Sequence, residues 1–323
     1  MKPLQFIKDW ILVFAIASGI IGYFLYVSIP WLDSTHAFML GVVETVQPVL
    51  IFAMLFLTFC HVDLREIRPV GWHLWLLLVQ GGVFVAVGSM LMAMPHSSLR
   101  VVLEGLMICL ICPTATASGV ITRKLGGSMA HITTYIILVN LLCTFLIPAV
   151  VPFVHPHPGM SVLDGMIMIM IMGKVFPILL LPLILAVLVR KLLPPLHRRL
   201  IANPDLSFYL WVVALSLAIA VTVRSMVHST VPLTAQLGLV AVSLASCIFQ
   251  FWLGRKIGRK YRDTVTAGQA LGQKNTVFAI WLGYTFFSPV TALAGGFYSI
   301  WHNVINSWQL YRHQHPSKRN CHK

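Results

Sequence analysis

Gly268-Gln269-Ala270-Leu271-Gly272-Gln273-Lys274-Asn275 lies about midway along an apolar segment that runs from Thr264 to Phe287. An ammonium at that depth of a bilayer costs on the order of 2.5 to 3.5 kcal/mol, so the charge at Lys274 calls for a use. The glycine and the amides around it predict an interrupted helix. Its open backbone groups and polar side chains would then form a site at membrane depth, as in secondary transporters.

The rest of the chain supports the membrane premise. Of its 323 residues 58% are hydrophobic and 10% charged, with a mean hydropathy of +0.85, which is more apolar than a soluble domain. Runs of about 20 residues, the length that crosses a bilayer, are drawn at 7–30, 37–61, 71–94, 100–122, 128–154, 162–189, 206–226, 233–253, 263–285 and 288–311. The expected fold is therefore all-α and polytopic, with ten spans.

A net charge of +14 is compatible with nucleic-acid binding, but the placement of the basic residues argues for topology instead. With the N-terminus inside, 19 of the 23 Lys and Arg fall in inner loops and the termini, including Arg123 and Lys124, the 190–199 segment and the 255–262 segment. Only Arg100 and Arg224 lie outside, and Lys174 and Lys274 lie within spans. This bias predicts an integral membrane protein of the bacterial inner-membrane type, with both termini cytoplasmic and no nucleic-acid partner. The first apolar stretch is too long for a signal core and has no small-residue cleavage pattern, so helix 1 is expected to remain. Five of the six cysteines fall in or at the ends of spans, which predicts free thiols.

The outer loop around His155-Pro156-His157-Pro158-Gly159 divides the chain into 1–157 and 158–323, each holding five spans. Units with an odd number of spans enter the membrane from opposite sides, so two such units of shared fold form an inverted repeat. The fourth span of each half carries its own disruption. In the first it is Cys112-Pro113-Thr114-Ala115-Thr116-Ala117-Ser118-Gly119, where Pro113 removes a backbone donor. In the second it is the 268–275 run followed by Thr276, where Gly272 is the expected weak point. Two broken helices meeting near the midplane would leave amides and carbonyls free to hold an ion or a small polar solute. The alternative is that Pro113 only kinks helix 4 and the Thr/Ser cluster bonds back to its own helix.

At these residues the chain resembles the bile acid:sodium symporter family. Its Cys-Pro-Gly-Gly-Thr-Ala-Ser-Asn pattern is approximated by residues 112–119, and its Glu-x-Gly-Met-Gln-Asn-Ser pattern by residues 270–276. Phe287-Ser288-Pro289 and Trp301-His302-Asn303 are similar to two further segments of that family. The resemblance implies a panel of helices 1, 2, 6 and 7 against a core of helices 3–5 and 8–10, with helices 4 and 9 crossing in the core. Among the sodium ligands it implies, Ser118 and Gln80 are retained. The others are replaced by Ala270, Lys274, Gly119, Ile132 and Ile136.

An ammonium among cation-binding oxygens would repel sodium, yet it can also take sodium's place by donating to those oxygens. The substrate or ion site is accordingly expected at Lys274, Asn275, Gln273, Thr276, Gln269, Thr116, Ser118 and Gln80, with Gln80, Thr116, Ser118 and backbone carbonyls at either helix break as candidate partners of the amine. The other readings of Lys274 are a structural lysine tied to carbonyls, or a group that releases its proton in one conformation, making a proton the coupled partner. Lys174 and Glu44 are expected to form a structural pair in the panel, and Glu104 and Asp164 to reach the interface.

The thirteen histidines are scattered without metal-ligand spacing, so no metal or cofactor is expected. His302 and Asn303 are read as a hydrogen-bonded core pair. No nucleotide-binding signature and no nucleophile–base set is present, which argues against direct ATP coupling and against an enzyme. The function expected is a secondary transporter of a small organic anion, sodium-independent and working by alternating access within the lipid bilayer. A membrane sensor that binds without turnover and a sodium symporter with altered ligands are the alternatives.

Overall fold

The computed structural model describes residues 11–62, 65, 67–155, 165–203 and 205–315. All regular structure among the described residues is helical: α1 (Ile11–Val27), α2 (His36–Cys60), α3 (Gly71–Ala93), α4 (Arg100–Ile111), α5 (Ser118–Lys124), α6 (Met129–Val154) and α7 (Gly165–Leu179), followed by α8 (Leu181–Leu192), α9 (Pro194–Ile201), α10 (Leu206–Val227), α11 (Leu233–Arg259), α12 (Thr264–Gly272), α13 (Thr276–Phe286) and α14 (Ala292–Gln314). Short 3-10 turns at Pro30–Thr35 and Pro289–Thr291 lead into α2 and α14.

Among the described residues, five segments are long and apolar enough to cross a membrane by themselves: Pro30–Cys60, Gly71–Ala93, Met129–Val154, Leu206–Val227 and Leu233–Arg259. The pair α7 and α8, bent by 43°, makes a sixth if counted as one. Pro182 at the start of α8 has no N–H for the carbonyl one turn back, so the helix bends there instead of running straight. Large apolar side chains face outward along these helices, among them Leu25, Leu78, Ile169 and Val213, each more than half exposed. That is the surface of a membrane protein, which meets lipid and has no need of a polar coat.

The helices pack in two groups. One joins α1, α2, α8 and α10; the other joins α3, α4, α6 and α11–α14. Within the second group α11 lies close against α12, because Gly254 has no side chain: a Cβ there would sit 2.4 Å from the Ala267 carbonyl oxygen. The sequence reading missed α9, an eight-residue helix begun by Pro194 and Pro195. His197 holds it in place through Nε2, 2.9 Å from the Cys60 carbonyl at the end of α2. α11 also runs past the expected end at residue 253, because its basic last turns leave the apolar layer without ending the helix.

Candidate functional site at the crossing of two broken helices

Cys112 stands at φ −51°, ψ 134°, the extended backbone that the following Pro113 enforces. Residues 112–117 leave the helix altogether, so Pro113 separates α4 from α5 and does more than kink a continuous helix. The second break, residues 273–275 between α12 and α13, is shorter. Gly272 is the last helical residue before it and serves by its size: a Cβ there would lie 2.4 Å from the Phe251 ring.

The two breaks touch. Thr114 and Lys274 form an antiparallel bridge, in which Asn275 N–H donates to Pro113 O at 2.8 Å and Ala115 N–H donates to Gln273 O at 2.9 Å. Each opened segment thus supplies partners for the other, as backbone shielded from water requires.

The C-terminal carbonyls of α4 point toward this bridge, and side chains from four elements answer them. Cys109 O would meet the N–H of residue 113 in a continued helix; proline has none, and Gln250 Nε2 of α11 donates instead at 3.1 Å. Leu110 O accepts from Lys274 Nζ at 3.2 Å. Ile111 O accepts from Gln80 Nε2 at 2.9 Å and from the Cys143 thiol at 2.9 Å, and Cys112 O from the same Gln80 amide at 3.2 Å. Tyr135 O–H fixes Gln80 by donating to its Oε1 at 3.2 Å.

The C-terminus of α12 is treated alike. Thr114 Oγ1 donates to Ala270 O at 2.6 Å, and Tyr298 O–H to Gly272 O at 2.8 Å. Helix C-termini carry partial negative charge, so the opened end of α4 makes a place for a cation. The cation present is Lys274, 1% exposed.

Its partner is therefore a carbonyl at a helix end. Of the expected partners, a backbone carbonyl at the first break receives the amine, Gln80 serves the neighbouring carbonyls, and Thr116 and Ser118 make no bond to it. One of the three N–H donors of the ammonium is matched among the described residues. Around it, within electrostatic reach, stand four free thiols: Cys109, Cys112, Cys143 and Cys247. Among the described residues no group of three or more His, Cys, Asp or Glu is arranged to hold a metal.

On the other side of the bridge opens a cavity of about 860 Å³ between the two helix groups. Ala115, Thr116 and Ala117 line it from the first break, and Gln273, Lys274, Asn275 and Thr276 from the second. Facing them are Thr58 of α2 with His61 just beyond its end, and Phe208 and Trp211 of α10, with His302, Asn303 and Ser307 of α14. Asn275 also caps α13, its Oδ1 accepting from Phe278 N–H at 3.2 Å. Gln273 Oε1, Ser118 Oγ and His302 Nδ1 are buried without a protein partner.

Several expectations are corrected by this geometry. Gln269 turns away from the cavity, donating to Asn306 Oδ1 at 3.1 Å and Gln309 Oε1 at 2.9 Å. Lys174 and Glu44 form no ion pair and both are exposed; Lys174 Nζ lies 5.8 Å from the Phe286 ring centre, where a face of π-electrons replaces the carboxylate. His302 and Asn303 are not bonded to each other, since Asn303 donates to Ser299 O one turn back. Glu104, expected at the interface, is 1% exposed, and its carboxylate meets Arg100 at 3.1 Å, His155 at 2.8 Å and the Ser288 hydroxyl at 3.3 Å. Asp164 lies outside the described residues. Gln250, Tyr135 and Tyr298 were missed; a lone amide in an apolar helix, as at Gln250, was the available signal.

The geometry now has a family to stand beside. No curated protein matches the chain. The family model for the SBF-like CPA transporter family, which is related to the bile acid:sodium symporters, matches residues 9–302. With nearly its whole length matched, the chain belongs to the SBF-like CPA transporter family.

Proposed function

We propose that this transporter is a sodium-independent secondary carrier for a small organic anion, in which Lys274 takes the place of a bound cation. The observation that carries the reading is the bond from Lys274 Nζ to Leu110 O, at the opened C-terminal end of α4. A sodium ion there would need several oxygens. The positions where the resemblance implies oxygen ligands hold Ala270, Ile132 and Ile136, all at most 3% exposed. With the charge tethered, the crossing keeps its form without an ion, and positive potential remains for an anion in the adjoining cavity.

In this reading the ten drawn spans form two inverted repeats, 1–157 and 158–323, with α4/α5 and α12/α13 as the fourth span of each. The group containing α2 and α10 is the panel, and the group containing the crossing is the core. The cavity between them, rimmed by His61 and Lys124, faces the end of the bundle rich in basic residues, taken as cytoplasmic. Rocking of core against panel then exposes the crossing to each side in turn. A cavity of about 860 Å³ suits a drug-sized solute, and carboxylated or sulfonated metabolites are the class proposed.

A sensor that binds without turnover is the second reading, favoured by the loss of the cation ligands. Counterflow in proteoliposomes separates the two. A carrier exchanges labelled organic anion against unlabelled, and Lys274→Met slows that exchange; binding without exchange in the parent protein points to the sensor.

A further inference from the structure

Beyond the crossing, the last turns of α11 carry a second built feature. Trp252, Arg255, Lys256 and Arg259 line a recess of about 310 Å³ on the outer face of the helix. Lys256 Nζ lies 4.7 Å from the Trp252 ring centre, one turn below it. Trp252 is 52% exposed and continues a lipid-facing apolar strip through Phe249 and Ile248. Among the described residues, none of the three cations forms an ion pair. Asp263, the nearest acid in sequence, is turned to His131 Nδ1 at 2.6 Å and Trp72 Nε1 at 3.1 Å.

Arg255 is the telling member. Its stem lies over Gly268 of α12, where a Cβ would come within 2.6 Å of Arg255 Cγ. Its guanidinium, half-buried, has no acceptor among the described residues, although a buried guanidinium ordinarily finds one. Three cations with no acidic partner among the described residues, beside an exposed indole at the level where apolar surface gives way to basic residues, match the charge and depth of a phospholipid headgroup. The neighbouring α14, joined to α11 through Trp301 Nε1 and Ser243 Oγ at 3.1 Å, repeats the pattern: Arg312 lies over the Trp308 ring at 5.2 Å, again one turn apart.

We propose that the basic end of α11 binds the phosphodiester headgroup of an anionic phospholipid in the adjacent leaflet, with Arg255, Lys256 and Arg259 on the phosphate and Trp252 at the acyl boundary. Because Arg255 rests on α12, an occupied site braces the half-helix that leads to Lys274.

The test is native mass spectrometry of the full chain released from mixed micelles of phosphatidylglycerol and phosphatidylcholine with matched acyl chains. The parent protein is expected to retain phosphatidylglycerol preferentially. Arg255→Gln with Lys256→Gln and Arg259→Gln should reduce that retention by more than tenfold, and Arg259→Gln alone, at an exposed position, about fivefold. Arg198→Gln with Arg199→Gln, on α9, should leave it unchanged. Should the triple variant fail to fold, the single variant decides. Equal retention of the two lipids, retention that survives Arg259→Gln, or displacement by millimolar inorganic phosphate would overturn the proposal. None of these outcomes depends on transport, so they leave the carrier reading untouched.

Discussion

The break between α4 and α5 and the break between α12 and α13 do the same structural task with different chemistry. Both end a half-helix in the middle of an apolar bundle and expose its last carbonyls. At the end of α12 those carbonyls are met by the neutral hydroxyls of Thr114 and Tyr298. At the end of α4 they are met by two amides, a thiol and an ammonium. Neutral donors satisfy hydrogen bonding and leave the dipole of the helix end uncompensated; only an ammonium does both. The asymmetry places a fixed charge on one side of an otherwise matched crossing.

Lys274→Met should show the largest effect. It removes the charge and leaves Leu110 O unanswered, and organic-anion exchange in proteoliposomes is expected to fall at least tenfold. Lys274→Gln, which can still donate, should recover folding and leave transport low; full transport in both variants would reduce Lys274 to a structural role.

Gln250→Leu breaks the same end differently, because Pro113 has no N–H to offer Cys109 O in the amide's place. A loss of about 1–3 kcal/mol is expected in thermal unfolding, the cost of an unmatched buried acceptor. Thr114→Val does the corresponding damage at the α12 end, where a loss of about 0.5–1.5 kcal/mol is expected and Thr114→Ser should restore most of it. If Thr114→Val suppressed transport as strongly as Lys274→Met while the protein stayed folded, the two ends would be functionally alike and the contrast would fail. The smallest effect on exchange is expected from Gln269→Leu, since that side chain faces Asn306 and Gln309; a change in exchange rate beyond about twofold would place it nearer the solute than its bonds suggest.

How much of this could be read in advance follows from what each signal depends on. Pro113 announces a break because its missing donor acts locally, and Lys274 announces a site because a charge in an apolar run is costly wherever the chain goes. The meeting of the two breaks was expected from the fourth place that each takes among the spans drawn for its half of the sequence. A backbone carbonyl at a break was among the acceptors expected for the amine, but which one was not legible, because the carbonyl of Leu110 is common to every residue type and only the crossing selects it. Gln269 was grouped with the site by proximity in sequence, but helical geometry sends its side chain to α14. Glu104 was judged by its depth alone, whereas two of the groups that enclose it, His155 and Ser288, come from distant segments and join Arg100 one turn back on its own helix.

The claim that a tethered ammonium stands in for a bound ion is tested most directly by the initial rate of organic-anion exchange in proteoliposomes prepared with sodium, with potassium or with choline as the sole monovalent cation. The account predicts rates within about twofold of one another in all three. A rate that rises tenfold or more with sodium, and saturates with it, would contradict the account.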